Sequence, residues 1–219
     1  MALSGPFSPI ASSARPPLAP NVARPAHSVA GAYRRGVTEQ QAYEVVSQYD
    51  GFELRRYPSA VVAEISVDAT FEQAGTVAFQ PLVQYIGGRN RSRAQMAMTA
   101  PVVQGQKIAM TAPVVQSAGS VGQHMVAFVL PAELTEATAP EPEDPRVRIR
   151  TVPESLTAVS RYSGRWSEAS YDAHLASLLR DVAAAGLAVT GSPRFARFNP
   201  PFTPWFLRRN EVHVDVRDA

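Results

Sequence analysis

The order in which strand and helix patterns follow one another is the strongest constraint on this chain's fold. Three strand patterns lead, at Tyr43–Ser47, Phe52–Tyr57 and Ala60–Val67. In the third, Val61, Ala63, Ile65 and Val67 share one face while Val62, Glu64 and Ser66 share the other, the two-residue period of a half-buried strand. Phe71–Ile86 then changes period, with Phe71, Ala74, Ala78, Leu82 and Tyr85 at helical spacing, before strand patterns at Ala97–Val103 and Ile108–Val115. The same order returns. Met125–Leu130, Val147–Val152 and Thr157–Tyr162 lead to a helical stripe of Tyr171, Leu175, Leu178, Leu179 and Val182 within Glu168–Ala185. Arg194–Phe198 and Glu211–Val216 close it. Two halves with one element order imply a pseudo-symmetric α+β domain, with mainly antiparallel strands and one helix from each half packed on the sheet.

Local signals mark the helix ends. Thr70 and Gln73 form a capping box and Gly87-Gly88 stops the first helix; Pro81 inside it predicts a kink or break near Gln80. Ser167 is the expected N-cap of the second, with Trp166 stapled onto Tyr171 and Gly186 as its stop. The acidic, proline-rich stretch Glu133–Asp144 reads as a solvated hairpin loop.

Residues 1–38 read as a different polymer. They hold Pro6, Pro9, Pro16, Pro17, Pro20 and Pro25 and show no period, so a disordered tail is expected. Arg15, Arg24, Arg34 and Arg35 stand there without one Asp or Glu, the composition of an organelle transit peptide, and the prolines favour a plastid (chloroplast) address over a mitochondrial one, with a cytoplasmic location as the alternative. Of 21 basic and 19 acidic residues this leaves 17 against 19 in 39–219. That mildly acidic body predicts no nucleic-acid partner. The absence of cysteine removes thiolate metal sites, iron–sulfur clusters, disulfides and thiol catalysis. No apolar run reaches the roughly 20 residues a transmembrane helix needs.

The octet Ala97-Met-Thr-Ala-Pro-Val-Val-Gln104 recurs as Ala109-Met-Thr-Ala-Pro-Val-Val-Gln116, a local duplication too short for a solenoid. Pro101 and Pro113 predict that each copy sits at a sheet edge or a bulge. With these segments the chain resembles the SOUL haem-binding family. The resemblance is carried by Tyr43-Glu-Val-Val46, Phe52-Glu-Leu-Arg-Arg-Tyr57, Tyr85-Ile-Gly-Gly88, Lys107-Ile-Ala-Met-Thr-Ala-Pro-Val114 and Asn199-Pro-Pro-Phe-Thr-Pro-Trp-Phe-Leu-Arg-Arg-Asn-Glu-Val212. It implies a distorted antiparallel barrel with two helices. It also implies a haem or other tetrapyrrole held non-covalently in a shallow apolar groove near the first helix and the proline-rich loop. A histidine that the family proposes as ligand is here Arg56, and the basic positions proposed on the first helix are Thr76 and Gln84.

The groove residues expected from the sequence are Phe71, Ala74, Gly75, Ala78, Leu82 and Val83 on the helix, with Phe202, Trp205 and Phe206 on the loop. Burial of a flat apolar plate against them would supply most of the affinity. Pro200, Pro201 and Pro204 stiffen the loop and lower the entropy cost of presenting its aromatics. Arg208 and Arg209 either meet the propionates or pair with Glu211. Iron ligation would fall to His, Met or Tyr; His124, His174 and His213 read more simply as packing or surface residues, and Met96, Met98, Met110 and Met125 as core filler. There is no nucleophile elbow, H-E-x-x-H or phosphate-binding glycine loop, so no catalytic residue is assigned. A non-catalytic tetrapyrrole carrier or buffer leads, ahead of an enzyme acting on a small amphipathic ligand and of a scaffold that binds no ligand.

Overall fold

The structure, a computed structural model, describes residues 39–96, 99–106, 122–199 and 202–218. The tail and the second octet copy lie outside the described residues, as does the strand expected at Ile108–Val115. Eleven strands are present among the described residues: β1 Glu39–Gln40, β2 Glu44–Gln48, β3 Glu53–Tyr57, β4 Ala60–Ala69, β5 Thr99–Gln106, β6 Gly122–Val129, β7 Arg148–Val152, β8 Ser155–Tyr162, β9 Leu187–Val189, β10 Arg194–Arg197 and β11 Asn210–Asp218. Helix α1 spans Phe71–Ile86 and α2 spans Glu168–Ala184.

Both caps are those expected. The Thr70 hydroxyl accepts from the Gln73 N–H and the Ser167 hydroxyl from the Ser170 N–H. Gly88 and Gly186, at φ of 106° and 73°, turn the chain out of each helix in the left-handed region that glycine tolerates. The break expected at Pro81 does not occur, since α1 runs through it without interruption. Pro81 deprives the Val77 carbonyl of its donor, but Val77 is half exposed, so water is at hand for that carbonyl.

The main path of the sheet is β2-β3-β8-β11-β10-β5-β6-β4-β7, with β1 beside β5 and β9 beside β11. Apart from the short β9, which follows α2 and pairs with β11, the two halves share one order. The run β4-α1-β5-β6 lies in space as β5-β6-β4, and the run β8-α2-β10-β11 lies as β10-β11-β8; the two triplets meet at β5 and β10. Each half also lends its leading strand to the other, β3 pairing with β8 and β7 with β4.

Three expectations change. The halves divide after β6, so Met125–Leu130 closes the first half and does not open the second. Because β4 lies between β6 and β7, the stretch Glu133–Asp144 is part of a crossover and not a hairpin loop. It is anchored, with Leu134 and Ala139 packed on the α1 core and the Pro140 carbonyl accepting from the Tyr85 hydroxyl at 2.8 Å. Third, among the described residues no barrel closes. The path ends at β2 and β7, whose mostly exposed residues mark them as edges. Pro101 sits where β5 shifts register against β6, between Thr99 and Val102, the bulge that proline requires in a strand with neighbours.

Two cores lie under the helices. α1 covers Val61, Ala63, Ile65, Val67, Val126 and Phe128, so the alternation read in β4 holds. α2 covers Leu54, Ala158, Phe195, Val212 and Val214. Phe71 opens α1 but belongs to the second core, stacked on Tyr171 and Phe195 at 5.2 and 5.4 Å. The two helix starts therefore meet, and a Glu72 carboxylate oxygen accepts from the Glu168 N–H at 3.0 Å, a favourable place for a negative charge.

Candidate functional site

The helical half of the expected groove points inward. Ala74, Ala78 and Leu82 are fully buried against β4 and β6, and Phe71 is buried in the α2 core. Gly75 is buried under Arg197, and a Cβ there would collide with the guanidinium unless it shifted. Val83 is partly buried at the core margin. The stripe period correctly marks one face, and that face belongs to the sheet. The apolar residues that α1 turns outward are Val77 and Phe79. The sequence reading passed over both. The available signal was that they are large apolar residues off the stripe.

Phe79 stands edge-on to Phe128, ring centroids 5.7 Å apart. Across the sheet Phe128 neighbours Val102, Val102 neighbours Arg197, and Arg197 neighbours Asn210. The proline-rich loop springs from this same end, leaving after Arg197 and returning at Asn210. Phe202, Trp205, Phe206 and Leu207 are 85, 49, 59 and 64% exposed, with the last three in one 3-10 turn. Trp205 and Phe206 meet edge to face at 5.6 Å.

Arginines edge this apolar surface. The Arg165 guanidinium lies 5.5 Å from the Trp205 ring centre, and that of Arg208 lies 4.1 Å from Trp166 while its Nε donates to the Thr203 carbonyl at 2.8 Å. Trp166 is wedged further by Arg197 at 4.9 Å on its ring, and its indole N–H donates to Asn210 at 2.9 Å. Arg197 is buried with no carboxylate partner among the described residues; it donates to the Phe71 carbonyl and to Gln104, and burial lowers its pKa to about 10.

Arg209 takes the other of the two roles weighed for it. It donates to Glu211 through Nε and a terminal nitrogen at 2.9 and 2.7 Å. Glu211 is fully buried on the helix-free face of the sheet, where Arg55 donates to it at 3.0 Å and the His213 ring at 2.9 Å. Arg55 also holds Glu53 and the Tyr57 hydroxyl. Burial pushes the Glu211 carboxyl up, but the bond from His213 and the two guanidiniums outweigh it and hold the group at about 2. His213 is completely enclosed, so burial pushes its pKa down and the ring stays neutral, donating its N–H to an ionised Glu211.

These directions predict acid sensitivity. As pH falls below about 6.5 the unfolded chain takes protons that folded His213 refuses, so stability declines; His124 and His174, also lowered by burial, act in the same sense. A second loss begins near 4.5, where an unfolded Glu211 protonates while the folded one stays ionised down to about 2. Each such group contributes at most about 1.4 kcal/mol per pH unit. Asp172, raised by burial, works in the opposite direction. Urea midpoints measured from pH 8 to 4 should fall monotonically; a flat profile would refute the assignment.

No group of three metal-ligating side chains forms among the described residues. His124 and His213 are buried, and the His174 ring is stacked on Tyr162 at 3.8 Å, so none of the three stands on the loop. Met96 packs on the α1 core and Met125 is half-buried. Two clefts, of about 260 and 200 Å³, lie beside β2 and β3 and between the helix starts respectively. Both fall below the roughly 300 Å³ at which drug-sized sites begin. Neither is large enough to enclose a tetrapyrrole. No helix among the described residues is long and apolar enough to cross a membrane.

Comparison with known proteins agrees with this architecture. A solved structure of the EcmrR C-terminal domain superposes with a TM-score of 0.58 over 81% of this chain and 99% of that one, at 11% identity. A hydrolase from Listeria innocua gives 0.53 over 82% and 94%, at 13% identity. At such identities the likeness is one of fold. In sequence, Heme-binding protein 1 of Xenopus tropicalis is 29% identical over 163 residues, 74% of this chain and 81% of that protein. The family model described as SOUL heme-binding protein matches residues 38–106 and 103–215, nearly the whole described body. The chain belongs to the SOUL heme-binding protein family.

Proposed function

We propose that this protein binds haem or a related tetrapyrrole on the surface formed by the proline-rich loop, and serves as a carrier or buffer without transforming it. The observation that carries the reading is the exposed cluster of Phe202, Trp205, Phe206 and Leu207 with Arg165 and Arg208 beside it. A tetrapyrrole offers a broad apolar plate with carboxylates at one edge, and this surface offers stiffened aromatics with guanidiniums at their margin. The outward Val77 and Phe79 of α1, at the same end of the sheet, extend it. Family membership and the kinship with Heme-binding protein 1 support the choice of ligand. The proline-rich, acid-free composition of residues 1–38 supports a plastid setting.

The test is a haem titration followed at the Soret band. The wild-type chain should show a saturable shift, and Trp205→Ala should bind about tenfold or more weakly, the order expected when a large aromatic anchor is truncated. Trp205 is half exposed and outside both cores, so the thermal midpoint should not move. Unchanged haem affinity in this variant would remove the loop from the site.

A further inference from the structure

The segments that carry the family resemblance meet at a place the haem reading does not use. Tyr43, Glu53 and Arg55 come from the start of the described chain and Arg209 and Glu211 from its end, yet all gather on the helix-free face of the sheet. Of these, Tyr43, Glu53, Arg55 and Arg209, with Arg161 of β8, line the cleft of about 260 Å³ beside β2 and β3.

The charge of this cleft is uneven. Arg55, Arg161 and Arg209 line it with Glu53 as the one lining carboxylate among the described residues, while Glu211 lies buried behind Arg55 and Arg209 and Asp181 stands against Gly51. The donors of Arg55 are all committed, to Glu53, Glu211 and Tyr57. Arg209 spends two nitrogens on Glu211 and reaches Gln40 with the third, which leaves N–H groups over. Arg161 is exposed at the rim and has no polar partner among the described residues. The tyrosines at the rim are fixed in place: Tyr49 stacks on Phe52 at 4.5 Å, and Arg55 lies 4.3 Å from the Tyr43 ring centre. Free guanidinium donors and preset walls are the requirements for an oxyanion, and the volume suits a small one.

We propose that this cleft is a second binding site, for a small molecule bearing a carboxylate or phosphate group, with Arg161 and Arg209 as its donors. It goes beyond the haem reading and does not rest on it. The full chain, labelled with ¹⁵N, is titrated at constant ionic strength with inorganic phosphate and, separately, with benzoate. Saturable amide shifts at Gly51, Arg55 and Arg161 are expected with one of them, in the range of about 1 mM, and the probe that saturates decides between phosphate and carboxylate. Arg161→Gln should weaken that binding about tenfold, leaving the thermal midpoint and the Soret titration unchanged. Shifts that saturate with neither probe, or equal affinity in the variant, would overturn the site. Weakened haem binding in Arg161→Gln would overturn its independence from the loop. Intact anion binding beside a failed Soret titration would count against the haem reading alone.

Discussion

Replacing Glu211 with glutamine is expected to lower the unfolding free energy by about 3–5 kcal/mol, the range for breaking a buried ion pair from one side. For a body of this size that is a fall of about 10 °C in the thermal midpoint. Glu211 is fully buried and serves Arg55, Arg209 and His213 together. Glutamine has the same shape, so no cavity forms and the loss is electrostatic. The side chain loses its charge, and its amide nitrogen turns a donor toward groups that are themselves donors. Arg55, held above the ordinary guanidinium range because Glu211 outweighs its burial, would stay buried with Glu53 as its remaining carboxylate. The share of the acid loss between about 4.5 and 2 that Glu211 supplies should be missing in the variant, while the share from Asp215, also lowered by its Arg194 and Thr157 bonds, remains. Glu154→Gln is the control: its pair with Arg56 is exposed on both sides and should be worth no more than about 1 kcal/mol. Chemical denaturation of the two variants compares them directly, and a loss below about 1 kcal/mol for Glu211→Gln would refute a keystone role.

That network shows where reading the sequence stops. The periods of β4 and of the two helices were legible because each reflects one element's own two faces. The duplicated order was legible for the same reason, since it is a succession of local patterns. The exchange of β3 and β7 between halves was not, because strand partnership depends on pairings across 84 to 106 residues. The error at Glu133–Asp144 has the same origin: a polar, proline-rich stretch looks alike whether its flanking strands are neighbours or, as here, have β4 between them. Arg209 illustrates the limit at a single residue. Its proximity to Glu211 allowed pairing, but the burial of that pair and its connection to Arg55 and His213 arise only when β3, β8 and β11 align. The exposed aromatics of the loop were legible from composition, because three prolines leave those side chains no regular element in which to hide.

The helix residues pose the sharper question, and Leu82→Ala answers it. Leu82 is fully buried among Ala78, Tyr85, Ile86 and the β4–β6 surface. Truncating a buried leucine costs about 2–5 kcal/mol, the upper end applying where the walls cannot collapse. Here the walls are strands locked by pairing on both sides of β4, so a loss of about 3 kcal/mol and a midpoint lower by roughly 6–12 °C are expected. A side chain that reaches no surface cannot touch a ligand. The folded variant, studied well below its midpoint, should therefore titrate haem with the wild-type affinity. Trp205→Ala should do the reverse, keeping stability and losing affinity. The pair of variants separates the two uses of apolar surface that the sequence could not distinguish, one closing the core and the other held open at the loop. If Leu82→Ala weakens haem binding while the melt is unmoved, the groove runs along α1 after all, and the helix must open from the sheet to admit its ligand.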